Sequence, residues 1–188
     1  MSLSPSSYSE RREEYLIKLI KNFKIALRQG YIFWDLKKKK IDISEEELSQ
    51  KLKEIQLCIK PATVYETFNP TVFGKKLDFG KSVAITFFAV TLCKEVETLD
   101  KNKITDAALK DGMEVCKNFV LKLIQIETEE EHCELLEPTE VEPSIIFGNQ
   151  KVLSKIDFTK IGIKFELGNL TPVSTKFFAV GWLLKKKK

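Results

Sequence analysis

Twelve consecutive residues without a charge, S-V-A-I-T-F-F-A-V-T-L-C from Ser82 to Cys93, constrain this chain more than any other feature. A segment apolar on every side has to be surrounded, either by protein or by lipid. Read as a helix it rises about 18 Å, well short of the roughly 30 Å of a bilayer's hydrocarbon. The expectation is a central core helix from Phe79 to about Glu97, capped by Asp78 and wrapped by other helices. A chain of 188 residues can supply the wrapping, since a single domain of that size buries roughly 70% of its unfolded surface. Thirteen Phe, four Tyr and two Trp exclude disorder as a whole.

The flanking segments read as amphipathic helices. After a polar lead over residues 1–9, Ser7 and Glu10 stand in capping-box spacing. Tyr15, Leu16, Leu19, Ile20, Phe23 and Leu27 then form one apolar stripe, with Gly30 as the stop. Ser44 and Glu47 form a second capping box before Leu48, Leu52 and Ile55. Pro61 ends that helix and can open another bearing Val64, Tyr65 and Phe68. A longer helix from about Thr105 to Gln125 puts Ala108, Gly112, Cys116 and Val120 on one face. The pattern to residue 126 is that of an all-α bundle.

Beyond residue 126 the character changes. Residues 127–142 carry eight Glu and no Lys or Arg, and from Gln150 to the end nine Lys face only Asp157 and Glu166. The expected division is a flexible lead (1–9), a helical domain (10–126), an acidic linker (127–144) and a basic C-terminal extension (145–188). In the extension, Ile161, Ile163, Phe165 and Leu167 alternate as in a strand, with a turn at Gly168-Asn169. The extension therefore reads as a hairpin or as disordered.

Catalytic patterns are sparse. His132 is the single histidine and lies beside Cys133 in the glutamate run, but adjacent residues point in different directions. The eight glycines are scattered, so they form no phosphate-cradling loop, and the four cysteines lack zinc-knuckle spacing. The expectation is a protein that is not an enzyme and carries no cofactor or metal. A net charge of +4 is too mild to suggest nucleic acid as a partner, and the polar start suggests a cytoplasmic location.

Three segments, in order, resemble the B-cell-lymphoma-two (Bcl-two) family of apoptosis regulators. Tyr15 to Asp35, with Gly30-Tyr31 and Trp34-Asp35, looks like the family's fourth homology motif. Ile59 to Phe68 looks like the lead into its first homology motif. Asp78-Phe79-Gly80-Lys81 stands where that motif has Asn-Trp-Gly-Arg, followed by the apolar helix. The likeness covers residues 15–126.

The resemblance implies a Bcl-two-like bundle around the apolar helix, with a groove for the BH-three helix of a partner. Lys81 would take the place of the groove arginine. Val83, Phe88 and Leu92 would line one side and Tyr65 and Phe68 the other, with Asp78, Phe79, Gly80, Gly30 and Trp34 as structural motif residues. The segment around Leu52-Lys53 lacks the small residue and Asp of a BH-three motif. The implied role is therefore a regulator of apoptosis that leans pro-survival, in the cytoplasm or at the mitochondrial outer membrane. The alternatives are a pore-forming effector of the same fold and a helical scaffold. The scaffold would dock through its basic C-terminus on anionic membrane or acidic protein.

Overall fold

The computed structural model describes residues 18–185 and shows a mixed α/β architecture, not an all-α bundle. The Ser7–Glu10 capping box, Tyr15 and Leu16 lie outside the described residues. The segment from Lys18 that continues the expected first helix is a strand, β1 (Lys18–Lys21). Helices α1 (Gln29–Lys38) and α2 (Glu45–Cys58) follow, then β2 (Ala62–Phe68) and β3 (Ala84–Thr91). The long helix α3 spans Lys103–Glu130. The remainder holds β4 (Cys133–Leu135), β5 (Thr139–Glu140), short helices α4 (Pro143–Phe147) and α5 (Gln150–Leu153), a β6–β7 hairpin (Lys164–Glu166, Asn169–Thr171) and β8 (Thr175–Leu184).

The uncharged run is central and its middle is fully enclosed, as its composition demands, but that middle is a strand. Every residue of β3 is buried, and six of the eight are β-branched or aromatic, the residue types that suit a pleated surface. A strand covered on both faces loses its alternation, so it shares its pattern with a helix buried all round. β3 pairs antiparallel with β2 on one side and with β8 on the other, in the order β1-β2-β3-β8-β4. The stretch expected as an acidic linker supplies β4 and β5, and that expected as an extension supplies β8.

β4 and β5 both lie along the outer side of β8. Between Leu135 and Thr139 the edge advances four residues while β8 advances three, from Trp182 to Ala179, so one residue bulges out beside Pro138. A bulged, proline-bearing edge resists pairing with another sheet.

Two cores result, one on each face. On the helical side α1, α2 and α3 pack Ile32, Leu36, Leu48, Leu52, Cys116 and Val120 against Phe88, Phe178 and Trp182. On the far side α4, α5 and their connections pack Ile146, Val152 and Phe158 against Ile85, Phe87 and Phe177. Ser44 caps α2 as expected, its hydroxyl accepting the Glu47 N–H at 3.1 Å, while the Glu47 carboxylate pairs with Lys51 at 3.3 Å. The hairpin turn falls at Leu167-Gly168, both with positive φ (50° and 82°), as a two-residue turn of the primed kind requires.

Candidate binding cleft

The residues expected to line a groove do not converge. Lys81 is exposed in a turn ahead of β3, where Asp78 Oδ1 accepts the Gly80 N–H at 2.8 Å and Gly80 takes φ +57°. Leu92 lies just past the opposite end of β3, and the eight residues between span about 24 Å. Phe88 and Tyr65 face the helical side and Val83 packs against that core near Trp182, whereas Phe68 faces the far side. Phe79 is half-buried in the far core, Gly30 lies inside α1 rather than ending a helix, and Trp34 is exposed on α1. Of the expected groove residues, Leu92 alone reaches the cleft described next.

That cleft opens where the first half of α3 stands away from the sheet, and it holds about 710 Å³. Asn102 starts α3 by accepting the Ile104 and Thr105 N–H groups, each at 2.9 Å. Opposite α3, two loops are tied together. Leu92 N–H donates to Ser174 O (3.0 Å), Ser174 Oγ to Cys93 O (3.0 Å) and Val173 N–H to Glu97 Oε1 (2.6 Å). The floor is apolar, formed by Leu92, Val96, Leu99, Leu109, Met113 and Phe178.

The rims are charged and alternate in sign. On α3, Asp106, Lys110 and Glu114 follow one another at four-residue steps, with Lys117 completing the row. Facing them are Glu97, Lys101, Glu140 and Lys176. Lys117 pairs with Glu114 at 2.8 Å and lies 5.9 Å from the Phe178 ring centroid, and Lys176 pairs with Glu140 at 2.7 Å. From Thr105 to Lys117 the helix rises about 18 Å, which sets the length of the seam.

Other polar clusters act as ties between elements. The Asp111 carboxylate, 1% exposed, accepts the Arg28 backbone N–H and Nε–H, each at 2.8 Å, and so fastens the start of α1 to α3. Glu127 accepts from both Lys18 and the Tyr65 hydroxyl, joining β1, β2 and α3. Burial, seconded by that hydrogen bond, holds the Tyr65 phenol above its ordinary range. Near the end of β3, Lys60 pairs with Glu95 at 2.9 Å. The Cys93 thiol and Lys60 pull Glu95 down to about 2, while burial pushes the Cys93 thiol up, away from the thiolate a nucleophile needs.

Among the described residues no group of three or more His, Cys, Asp or Glu could hold a metal ion. Nor is any helix among them long and apolar enough to cross a membrane. No family model matches the chain, and no curated protein is detectably similar to it.

Proposed function

We propose that this protein is a binding module, not an enzyme, whose cleft receives the apolar stripe of a partner's amphipathic helix. What carries the reading is the seam itself, an apolar floor flanked on both sides by charges of alternating sign over three helical turns. Helices recognise one another in this way, with apolar positions burying area and flanking charges setting register and orientation. A small apolar ligand would use the floor, but it would have no need of two charged rims. The apoptotic setting that the resemblance implies goes with an all-helical bundle and is not carried forward, so the reading rests on the cleft alone.

The test is fluorescence anisotropy with a labelled peptide of about four turns, bearing a leucine stripe between alternating Glu and Lys. Saturable binding by the native protein, lost in Leu109→Glu and absent for a scrambled peptide of the same composition, supports the reading. A dansylated fatty acid serves as the competing probe. Tight binding of that probe with none of the peptide would make the cleft a small-molecule site and overturn the proposal.

A further inference from the structure

We infer that the outer face of α1 is a docking surface for anionic lipid, on a different set of residues from the cleft. Two large aromatic side chains stand out on that face, Tyr31 at 64% and Trp34 at 66% exposed. With 100° per residue, Tyr31, Trp34 and Lys38 fall within about 60° of one another around the helix. The Arg28 guanidinium lies over the Tyr31 ring at 4.7 Å, and the four-lysine run Lys37–Lys40 follows at the helix end.

The charge along α1 is mostly of one sign. Residues 28–40 hold five Lys and Arg and a single acid, Asp35, with Arg28 engaged by Asp111 of α3. Lys39 answers Asp35 at 2.6 Å and Lys37 answers Asp42 at 3.2 Å. Lys38 and Lys40 make no ion pair among the described residues. The acidic first turn of α2 touches α1 through Gln29, whose side chain donates to Glu45 O at 3.2 Å. Gln29 lies about 200° around the helix from Tyr31, so those acids flank the opposite side.

A polybasic segment beside exposed Trp and Tyr is the combination that an anionic bilayer surface binds. Lysines gain from the surface potential, and the amphipathic rings settle at headgroup depth. Single-stranded nucleic acid shares the preference for aromatics and lysines, but it is held in grooves that track the backbone. Here the rings project from the convex side of a helix, and two of the four lysines in the run are already engaged by carboxylates. The geometry favours a flat partner.

The full-length protein provides its own reporter. Trp182 is buried at 1% exposure, so a change in emission on docking belongs to Trp34. Vesicles of phosphatidylcholine containing phosphatidylserine are expected to shift the emission to the blue and to carry the protein in co-sedimentation, whereas pure phosphatidylcholine does neither. Tyr31→Ala/Trp34→Ala should weaken binding at least tenfold and Lys38→Glu/Lys40→Glu severalfold. These side chains lie at the surface, and unchanged Trp182 emission and circular dichroism verify the fold. Three outcomes overturn the inference. They are no vesicle binding, tighter binding to a single-stranded oligonucleotide, and vesicle binding that survives both double variants but disappears when residues 185–188 are removed.

Discussion

Neighbouring residues of β3 face two different interiors. Phe87 points to the far side and meets Phe73, Phe158 and Phe177, with ring centroids 6.0–6.1 Å away. Thr86 points to the helical side, where its hydroxyl accepts the Trp182 indole N–H at 2.8 Å and lies 2.8 Å from the Thr67 hydroxyl. The far layer consists of short helices and loops closed by packed rings. The helical layer is longer and more polar, held by ties such as Arg28–Asp111, and it leaves a gap at its edge. A layer sealed by aromatic packing has no room to bind anything. A layer of charged helices can part from the sheet at one end and stay anchored elsewhere. Stability should therefore concentrate on the far face and recognition on the helical one.

The largest effect should come from Phe87→Ala, which removes a fully buried ring from the centre of the far cluster. The loss is about 3–5 kcal/mol, read from the urea midpoint. A loss under about 1 kcal/mol would break the comparison, because the far face would then not be the stabilising one.

Next is Asp111→Asn. The Arg28 side chain is 44% exposed and can return to water, so the cost falls below that of a fully buried pair, at about 2 kcal/mol. The start of α1 should loosen with it, raising amide exchange around Arg28 and Gln29 while the far core stays protected.

The third test uses pH. Burial pushes the Cys116 thiol on α3 up to about 12 from its ordinary 9.0. The unfolded chain then releases this proton above pH 9 while the folded protein keeps it, so folding stability falls as pH rises from 9 towards 12 and is untouched below 9. At pH 10 the loss is on the order of 1 kcal/mol. Tyr65, also raised by burial, adds to the decline above pH 10 with the same sign. Cys116→Ala should flatten the curve between pH 9 and 10, whatever it costs at neutral pH. An unchanged alkaline slope would mean that the thiol is not buried as described.

How far the sequence reveals this design depends on whether the signal is local. α2 is legible from the Ser44 cap and the buried Leu48–Leu52–Ile55 stripe, both of which act as expected. α3 is legible from the face bearing Ala108, Cys116 and Val120, and the late hairpin from its glycine. Of the alternating Ile161, Ile163, Phe165 and Leu167, however, only Phe165 lies in the strand, and the turn falls one residue earlier than expected. The sheet is not. β3 shows no period because both its sides are covered, and Thr86 and Thr91 with four β-branched or aromatic neighbours were the available hint. β2 carried an expectation of helix because Pro61 opens helices as readily as it precedes strands. The likeness to an all-helical family rests on short motifs, Gly30-Tyr31, Trp34-Asp35 and Asp78-Phe79-Gly80-Lys81, and the fold it implies is excluded because the segment that follows them is β3. The cleft has no local signal, since Leu92 and Phe178 meet only through β8 and Leu109 only through α3. The alternating row from Asp106 to Lys117 was readable on its own, but a charged helix face ordinarily means only solvent.

That row supplies the smallest and most discriminating test. Reversing it with Asp106→Lys, Lys110→Glu and Glu114→Lys leaves the apolar floor untouched. Asp106 lies in the first turn of α3 and Glu114 pairs with Lys117, so the reversal costs folding about 1–2 kcal/mol in all, and binding is compared only where the urea curve shows the protein folded. Each rim pair contributes about 0.2–1 kcal/mol to a docked helix, so the peptide described above should bind only severalfold more weakly. Its counterpart, with every Glu and Lys of the flanks exchanged, should gain by a similar factor on the reversed protein. A crossed preference is what a charge-registered helix groove requires, because the same residues favour one partner and disfavour the other. If both peptides lose affinity together, the rim only wets the edge of an apolar site. The division of labour between the two faces would then stand without a helix as the ligand.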